Sequence, residues 1–321
     1  MEIRAGEPAR HPRAVALVTD ERFAPFAACL GASILAAHPA RGFDVCLVVP
    51  GGAATPGAEG LRVLRVAGDN PFSAWRLTEA RRSHMGFLRL LLPRLLGSDY
   101  ERILYLDADI HHDGGDLGVA LGLDLRGQAV GAVRDHQMWR TPGRRAMEFA
   151  RLGWPAARYL NSGVLLLDAA RFEAESWLDR AVAATTDPSL ARGRVRNDQS
   201  VLNLALRGRW TEISPVWNWQ LTRATRHAMA HAEPRLVHFI GARKPWLDTG
   251  RELPPRFRAR PHAFLSRHVP HHPALAALDP VGRAEPRDLA KSYLAHWRRW
   301  RAMEAYLARF PLETTTHPPD P

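Results

Sequence analysis

The stretch RILYLDADIHHDGG, residues 102–115, decides the fold class of this chain. Residues 103–106 are large and apolar or aromatic, and Asp107 and Asp109 follow them directly. A short apolar run without polar alternation is typical of a strand that is buried on both faces, as in a parallel sheet covered by helices. Ligands of such sheets gather at the carboxyl ends of the strands. The stretch therefore predicts an α/β fold with a functional site at the end of this strand.

Two carboxylates at the end of a buried strand can hold a divalent cation. Asp107 and Asp109 are two residues apart, so their side chains project to the same side of an extended chain. Hard oxygen ligands favour magnesium or manganese, which bind phosphates through their remaining positions. The alternative is a surface turn in which both carboxylates are solvated. We expect no ligation by His111, His112 or Asp113, because they begin a loop with two glycines and adjacent histidines point in different directions.

Strand-like and helix-like segments alternate along the rest of the chain, and short joints connect them. This is the pattern of a doubly wound parallel sheet. Strands are predicted at 14–18, 43–49, 61–66, 103–106, 129–133, 164–167 and 235–239, and helices at 25–37, 83–96, 172–184 and 199–207. Residues 1–13 are expected to form a loose tail, 14–250 a catalytic domain, and 251–321 a Pro- and Arg-rich extension with little periodicity before its last helix.

The composition is that of an ordinary soluble globular protein with a basic surface. Of 321 residues, 46% are hydrophobic and 24% are charged, and the formal net charge is +11. Arginine supplies nearly all of the positive charge, because Lys244 and Lys291 are the only lysines. The excess predicts anionic partners such as phosphate-bearing substrates or acidic lipid. No nucleic-acid partner is expected, because the basic residues are scattered without a recognisable aromatic or zinc pattern.

Cysteine use and hydropathy predict a cytoplasmic protein. Cys29 and Cys46 lie in apolar runs, which favours buried free thiols in a reducing compartment over a disulfide. The first residues lack the apolar core of a secretory signal, and no stretch approaches the roughly 20 apolar residues of a membrane span.

Three further motifs carry chemistry-bearing residues. In LVHFIGARKPW, residues 236–246, His238 interrupts an apolar strand, Gly241 allows a tight turn, and Lys244 can neutralise phosphate oxygens. The alternative for His238 is a hydrogen-bonded structural histidine. YLNSGVLLLD, residues 159–168, and RNDQSVLNLAL, residues 196–206, are the other two motifs.

The motifs at 159–168 and 196–206 offer polar groups beside buried elements. Asn161 and Ser162 supply amide and hydroxyl donors, and Gly163 permits close approach of a backbone, although an ordinary strand-entry turn would also account for them. Asp198 is either the N-cap of the following helix or, with Gln199, a group that holds sugar hydroxyls.

Taken together and in this order, LDAD, NSGVLL, NDQSVLN and HFIGARKPW resemble family 8 of the retaining glycosyltransferases, over roughly residues 14–246. That family includes bacterial lipooligosaccharide galactosyltransferases and glycogenin. The resemblance implies a glycosyltransferase-A type fold, in which helices flank a Rossmann-like, mostly parallel central sheet and a helical or irregular C-terminal extension follows. It also implies transfer of galactose or glucose from a UDP-sugar to a glycan or glycolipid acceptor, in synthesis of lipopolysaccharide or another cell-surface polysaccharide.

The resemblance also assigns expected roles to residues. Asp107, Asp109 and His238 would bind manganese, with magnesium as the alternative, and the ion would bridge the donor diphosphate. Asp198, Gln199 and Lys244 are expected at the reacting centre, where Lys244 and the nearby Gly241 would support the leaving phosphate. The expected substrate-binding residues are Thr19, Asp20 and Phe23 at the nucleobase end, Arg89 and Ala108 beside the sugar-nucleotide, and Asn161, Ser162 and Gly163 around the sugar and the acceptor.

One residue departs from the family pattern, and the route to retention stays open. Phe23 stands where relatives often have a tyrosine, so it can stack on a base but lacks the hydroxyl. Retention allows a double displacement through Asp198 or attack from the same face as the departing phosphate. We favour same-face attack, because Gln199 is an uncharged amide and Asp198 is expected to bind sugar hydroxyls.

The C-terminal stretch YLAHWRRWRAMEAYLARF, residues 293–310, is aromatic and basic. Tyr293, Trp297, Trp300, Leu307 and Phe310 fall near one face of a predicted helix at 290–310, and arginines occupy much of the rest. The helix either lies on anionic membrane or docks on the catalytic domain. The resemblance favours peripheral contact with the inner face of the membrane.

Two other functions compete with glycosyl transfer. Haloacid dehalogenase-like phosphatases also place two aspartates after a buried strand, but this chain has His111 where they have Thr or Val, and its pair lies far from the N-terminus. A non-catalytic nucleotide-sugar-binding protein is the second alternative, although the chain keeps the charged groups that transfer would use.

Overall fold

The computed structural model describes residues 1–72, 84–141, 143–193, 197–241, 244–248, 252–279 and 286–320. The strands of this part are β1 Glu2–Ala5, β2 Arg13–Val18, β3 Asp44–Pro50, β4 Arg62–Ala67, β5 Arg102–Leu106, β6 Ile110–His112, β7 Val130–Arg134, β8 Leu160–Asp168, β9 Thr211–Ile213, β10 Trp219–Gln220, β11 Leu236–His238 and β12 Thr316–His317. The α-helices are α1 Ala24–Ala37, α2 Leu88–Leu96, α3 Leu117–Leu121, α4 His136–Arg140, α5 Met147–Arg151, α6 Ala169–Ala174, α7 Trp177–Thr186, α8 Asp198–Leu206, α9 Met229–Ala232, α10 Arg256–His268, α11 Leu275–Leu278, α12 Pro286–Trp297 and α13 Trp300–Leu307.

A nine-stranded sheet in the order β1-β4-β3-β2-β5-β8-β7-β9-β12 forms the centre of the molecule. β4, β3, β2 and β5 are parallel, as the sequence predicts. β8 runs antiparallel to both β5 and β7, so the sheet is mixed rather than mostly parallel. The α/β organisation is confirmed, and the reversal at β8 brings residues 160–163 to the end of the sheet where β5 delivers its aspartates.

Apolar side chains on both faces of the sheet explain why its central strands read as continuous apolar runs. On one face Leu17, Leu104 and Leu166 pack with α1 and, farther along, with Met303 of α13. On the opposite face the alternate residues, including Ala16, pack with α2 and with α6 to α8. The sheet is therefore buried on both faces, as expected of an α/β fold.

A second, three-stranded sheet in the order β10-β11-β6 sets the position of the functional residues. β11 is antiparallel to β6, with His238 opposite Ile110. The amide of Phe239 donates to the carbonyl of Asp109 at 3.1 Å, and the amide of Asp107 donates to the carbonyl of Gly163 at 2.9 Å. The turn between β5 and β6 is therefore fixed by β11 on one side and by β8 on the other.

Two predicted helices differ from those in the structure. The segment predicted at 172–184 is two helices, because Ser176 adopts a left-handed conformation, with φ of 54°, between α6 and α7. The helix predicted at 83–96 is a 3-10 turn at His84–Phe87 followed by α2, and Ser83 lies outside the described residues.

Both ends of the chain differ from the expectation of loose segments. β1 pairs with β4 at one edge of the main sheet, so residues 1–13 are not wholly a loose tail. In the extension α10 has 13 residues and packs against α1, despite the proline and arginine content that hid its periodicity. The proposed boundary at 250/251 lies outside the described residues, and the division at that point stays a proposal.

The aromatic basic stretch near the C-terminus is two helices with different surroundings. α12 ends at Trp297, and Tyr293 and Trp297 on it are 64% and 69% exposed. α13 begins at Trp300, and Tyr306 and Phe310 are buried against the domain. The predicted single face therefore does not form. In the described part of the chain, no helix combines the length and the apolar content that a membrane crossing needs.

Candidate metal and sugar-nucleotide site

Asp107, Asp109 and His238 meet at the carboxyl ends of β5 and β11. One ligand atom from each lies within 4.8 Å of the others, and we call these three residues the Asp–Asp–His cluster. Nε2 of His238 is 3.2 Å from Oδ1 of Asp109 and 3.8 Å from Oδ2 of Asp107. The structure thus assembles the three residues that the family resemblance predicted as metal ligands.

The donor set of the cluster fits a divalent cation. Oδ1 of Asp109 is buried and makes no hydrogen bond to the described residues. Nδ1 of His238 donates to Oδ1 of Asn218 at 3.0 Å, which leaves a lone pair on Nε2 directed at the carboxylates. Facing lone pairs on an imidazole nitrogen and a buried carboxylate oxygen are stabilised by a cation between them. The cluster therefore has the features of a divalent metal site.

Arg89 of α2 ties the cluster to the residues at the start of α8. Its guanidinium lies 2.8 Å from Oδ1 of Asp107 and 3.1 Å from Oδ2 of Asp198, and it donates to the carbonyl of Ser162 at 2.9 Å. Burial works against the charge of Arg89, but Asp107 and Asp198 outweigh burial and raise its pKa. Arg89 is therefore a fixed cation that holds two carboxylates at one end of the site.

The two carboxylates of the cluster have different environments. Burial raises the pKa of Asp107, and the positive charge of Arg89 opposes that shift. Burial also acts to raise the pKa of Asp109, but the ammonium group of Lys244 and the neighbouring His238 outweigh it and hold this pKa below its ordinary value. Asp109 is thus the more readily ionised carboxyl of the two.

Lys244 contacts the cluster itself. Its ammonium group donates to Oδ2 of Asp109 and to the carbonyl of Phe239. The sequence predicted Lys244 near phosphate oxygens, and the structure places it beside the carboxylate that would hold the cation. Gly241, in the turn that leads to it, has a φ of 70° and is exposed, as a tight turn requires. Ala242 and Arg243 lie outside the described residues.

The segment Asn161 to Gly163 opens β8 and faces the cluster from the neighbouring strand. Gly163 is glycine because a Cβ there would overlap the imidazole of His238. The close backbone approach expected at Gly163 is therefore to a protein side chain. Asn161 and Ser162 are buried, and Ser162 donates from Oγ to Asp198 at 2.9 Å.

Asp198 and Gln199 project from the first turn of α8 towards β8. The N-cap of α8 is Asn197, whose side chain accepts from the amide of Ser200 at 2.8 Å. The capping role considered for Asp198 is therefore wrong. Asp198 binds Arg89 instead, and Oε1 of Gln199 accepts from the Asn161 side chain at 3.2 Å.

The expected nucleobase end lies where β2 leads into α1. Thr19 is buried, and Oδ1 of Asp20 accepts from the amide of Phe23 at 3.2 Å. The ring of Phe23 lies 6.1 Å from that of Trp246, which stacks on Phe26 at 4.0 Å. These rings form an aromatic wall between α1 and the turn after Lys244. Within the described residues, Thr19, Asp20 and Phe23 make no hydrogen bond or ion pair with the Asp–Asp–His cluster.

Ala108 and the polar residues after Asp109 occupy positions outside the cluster. Ala108 borders a cavity of about 30 Å³ that reaches towards Trp246. His111 and His112 lie in β6 rather than in the glycine loop, and burial lowers the pKa of both, to about 4 for His112. Nε2 of His111 lies 3.6 Å from Oδ1 of Asp113, so these two residues pair with each other.

Three residues of the site were not predicted from the sequence. Asn218 is fully buried between two tryptophans and accepts from His238. Asp135 follows β7 at its carboxyl end and lies 3.5 Å from Nε2 of Gln199. The hydroxyl of Tyr105 donates to Asp107. The strand-end rule that selected Asp107 would also have selected Asp135, and a lone amide in an aromatic run is a signal for Asn218.

Known proteins resemble the chain in sequence and in fold. The lipopolysaccharide 1,3-galactosyltransferase of Salmonella typhimurium is 27% identical over 171 residues, which are 51% of this chain and 50% of that protein. The lipopolysaccharide 1,2-glucosyltransferase of Escherichia coli is 28% identical over 173 residues, which are 50% of this chain and 48% of that protein. The chain thus spans about half the length of these curated relatives.

A solved structure of the galactosyltransferase LgtC, in complex with donor and acceptor sugar analogues, has the same fold. It aligns with a TM-score of 0.53 and 21% identity over 73% of this chain and 89% of that one. The likeness confirms the glycosyltransferase-A type fold that the sequence predicted. The sequence model described as glycosyl transferase family 8 matches residues 73–250. Because this segment is more than half of the chain and contains the whole Asp–Asp–His cluster, the chain belongs to glycosyl transferase family 8.

Proposed function

We propose that the protein transfers a hexose from a UDP-sugar to a glycan or glycolipid acceptor, with retention at the anomeric carbon. The observation that carries the proposal is the Asp–Asp–His cluster, whose buried carboxylate oxygen faces an imidazole nitrogen at the carboxyl ends of two strands. Family membership supports it. The same match argues against a haloacid dehalogenase-like phosphatase, because Asp107 and Asp109 lie within the segment that matches glycosyl transferase family 8.

Manganese is the ion that the ligands favour. Two carboxylates and one imidazole suit a borderline cation, whereas magnesium prefers an all-oxygen set. When bound, the ion would act as a Lewis acid on the diphosphate of the donor. Lys244 would then exchange its contact with Asp109 for the departing phosphate, where a compact ammonium adds fixed positive charge.

The surroundings of Asp198 support same-face attack over double displacement. Oδ2 of Asp198 accepts from Ser162 and pairs with Arg89, so the electron pairs of this oxygen are engaged by two donors. Gln199 carries no charge and bonds to Asn161. We propose that Asp198 and Gln199 bind the hydroxyls of the transferred sugar. The leaving phosphate would take the proton from the attacking hydroxyl of the acceptor.

The proposed classes of donor and acceptor are supported by the residues at the expected nucleobase end and by the names of the relatives. The rings of Phe23 and Trp246 offer faces on which a uracil ring could stack, and Asp20 would bind the polar edge of the base. The printed names of the Salmonella and Escherichia relatives are a galactosyltransferase and a glucosyltransferase of lipopolysaccharide. We therefore propose galactose or glucose as the sugar and a lipopolysaccharide or related surface glycan as the acceptor.

We also propose peripheral contact of α12 with anionic membrane on its cytoplasmic face. Tyr293 and Trp297 are exposed on this helix, together with Leu289 and Leu294. Arg298 and Arg299 follow directly and supply positive charge beside the aromatic surface. Amphipathic aromatic rings and arginines together suit the headgroup region of an acidic bilayer.

The function is tested by release of UDP from UDP-galactose and UDP-glucose without acceptor, with and without Mn²⁺. We expect Asp109→Ala to lower the Mn²⁺-dependent rate by about 100-fold or more, because it removes a ligand and the partner of Lys244. Asp179→Ala is the control, because Asp179 is exposed on α7 and pairs with Arg94 rather than with a residue of the cluster. Undiminished, metal-independent release by Asp109→Ala would refute the proposal. Absence of release from the wild type would favour a non-catalytic sugar-nucleotide-binding protein.

A further inference from the structure

Three amide side chains, two of them buried and the third, that of Gln199, half-buried, connect His238 to the start of α8. Nδ1 of His238 donates to Oδ1 of Asn218 at 3.0 Å, and Nδ2 of Asn218 donates to Oδ1 of Asn161 at 2.9 Å. Nδ2 of Asn161 then donates to Oε1 of Gln199 at 3.2 Å. We call Asn218, Asn161 and Gln199 the amide chain. Every donor in it points the same way, from the imidazole towards α8.

Backbone amides fix this direction. The amide of Gly163 donates to Oδ1 of Asn161 at 3.1 Å, and the amide of Ser162 donates to Oε1 of Gln199 at 3.2 Å. A backbone N–H can only donate, so each of these side chains must present its oxygen there and its NH₂ on the other side. Because Oδ1 of Asn161 is thereby an acceptor, Asn218 must offer it an NH₂ group and turn its own oxygen to His238.

The orientation of Asn218 determines the tautomer of His238. An amide oxygen beside Nδ1 is satisfied only by an N–H on that atom, so neutral His238 carries its proton on Nδ1. Nε2, 3.2 Å from Oδ1 of Asp109, is then free to act as a metal ligand. If Asn218 were reversed, its NH₂ would face Nδ1 and would favour the tautomer with hydrogen on Nε2, which cannot bind a cation.

We propose that Asn218 is a positioning residue that sets the metal-binding tautomer of His238 and couples the metal site to Gln199. The proposal rests on the proposed metal site and adds a residue that acts through a ligand rather than on the ion. The coupling follows from the same bonds, because a sugar hydroxyl that engages Gln199 acts on the end of a chain whose other end orients His238.

Mn²⁺ affinity, measured by electron paramagnetic resonance with UDP present, tests this role in two variants. Asn218→Leu has nearly the same shape but offers no acceptor to Nδ1, and we expect Mn²⁺ to bind about 10- to 100-fold more weakly. Asn218→Asp keeps an acceptor there, as in the carboxylate–histidine pairs of many metal sites, and we expect affinity within about threefold of wild type.

Thermal stability separates positioning from simple packing. Asn218→Asp places a carboxylate beside Oδ1 of Asn161, so we expect it to melt below Asn218→Leu although it binds Mn²⁺ more tightly. A packing residue would give affinities that follow melting temperature instead. Thr225→Val is the matched control, because Thr225 is equally buried and hydrogen-bonded, but its hydrogen bonds go to Gln220 and Thr222 and not to the amide chain. We expect it to lose stability and keep wild-type affinity.

The outcomes are distinguishable from failure of the proposed function. Wild-type protein that binds no Mn²⁺ would overturn the metal site, and the role of Asn218 with it. Wild-type binding together with unchanged affinity in Asn218→Leu would overturn the role of Asn218 alone. Tight binding by Asn218→Asp and weak binding by Asn218→Leu, with stabilities in the reverse order, supports it.

Discussion

At the scale of single residues, Gly163 links the backbone of β8 to the metal site. Its amide orients Asn161, its carbonyl accepts from Asp107, and its missing side chain leaves room for the imidazole of His238. A glycine that looks like an ordinary strand-entry residue in the sequence is therefore required for the packing of His238, about 75 positions later.

Gly163→Ala should displace His238 and weaken the site. Because the added Cβ would overlap the ring, we expect a loss of about 1–3 kcal/mol in the free energy of unfolding, measured by chemical denaturation, and weaker Mn²⁺ binding. Gly42→Ala is the control, because no atom lies within 4 Å of the Cβ it would add. Wild-type Mn²⁺ affinity in Gly163→Ala would contradict the tight packing.

At the scale of elements, Glu212 of β9 joins the sheet to the C-terminal helix. It is fully buried and binds Arg134 of β7 through both oxygens, at 2.8 and 2.7 Å. The Tyr306 hydroxyl and the Arg309 guanidinium donate to it from α13 and the turn after it. Arg134 is followed by Asp135, which lies 3.5 Å from Gln199, so this ion-pair network connects α13 to the residues around the start of α8.

Glu212 should make stability depend on pH. Burial acts to raise its pKa, but Arg134 and the other arginines outweigh burial and lower it from the ordinary value of 4.5. A carboxyl whose pKa is lower in the folded than in the unfolded protein stabilises the fold at pH values above the unfolded-state pKa. This stabilisation is lost as the pH falls through the folded-state pKa. We expect Glu212→Gln to cost about 3–5 kcal/mol at pH 7.

The cost of Glu212→Gln should shrink as pH falls below 4.5, because the carboxyl of the unfolded wild type then binds protons while the folded carboxylate, with its lower pKa, stays ionised to lower pH. Denaturant unfolding of both proteins from pH 7 down to pH 3 measures the difference. Glu59→Gln, at an exposed position, should track the wild type throughout. A difference between Glu212→Gln and wild type that stays constant over this range would argue against an ionised Glu212 in the network.

At the scale of the whole molecule, positive charge and exposed aromatic residues coincide on α12. The formal net charge is +11, and Ser292 and His296 hold α12 to the carbonyls of Arg223 and Ala224. Arg223 and Ala224 come shortly after β10 in the sequence, and Gln220 of β10 pairs with His238 of β11. A membrane under α12 would therefore present lipid-linked acceptors on the side of the molecule that carries the second sheet.

The paired change Tyr293→Ser and Trp297→Ser should weaken binding to vesicles that contain phosphatidylglycerol by about tenfold or more, because both rings leave the interface. Co-sedimentation measures it, and added salt should weaken the wild type as well. Met147→Ser removes an exposed apolar residue elsewhere and is the control. Equal sedimentation of the paired variant and wild type would exclude α12 as the contact.

Local pattern predicted much of the fold. The parallel strands β2 to β5 and helices α1 and α8 lie within a few residues of their predicted positions, because continuous apolar runs and helical periodicity are written in neighbouring residues. The reversal of β8, the pairing of β1 and the break between α12 and α13 were not predicted. Strand direction and helix docking depend on contacts with distant segments, which leave no local periodicity.

The chemical groups of the site could be predicted from sequence motifs. The aspartates after β5, the histidine in β11 and the amides of β8 and α8 are all readable as motifs. Their arrangement relative to one another depends on the fold. Pairing of β11 with β6 brings His238 to the aspartates, and buried Asn218, which no motif marks, sets the orientation of its ring. A motif shows which side chains are present, but it does not show which side chains form hydrogen bonds with each other. Those hydrogen bonds form only when strands from distant parts of the chain hold both partners in place.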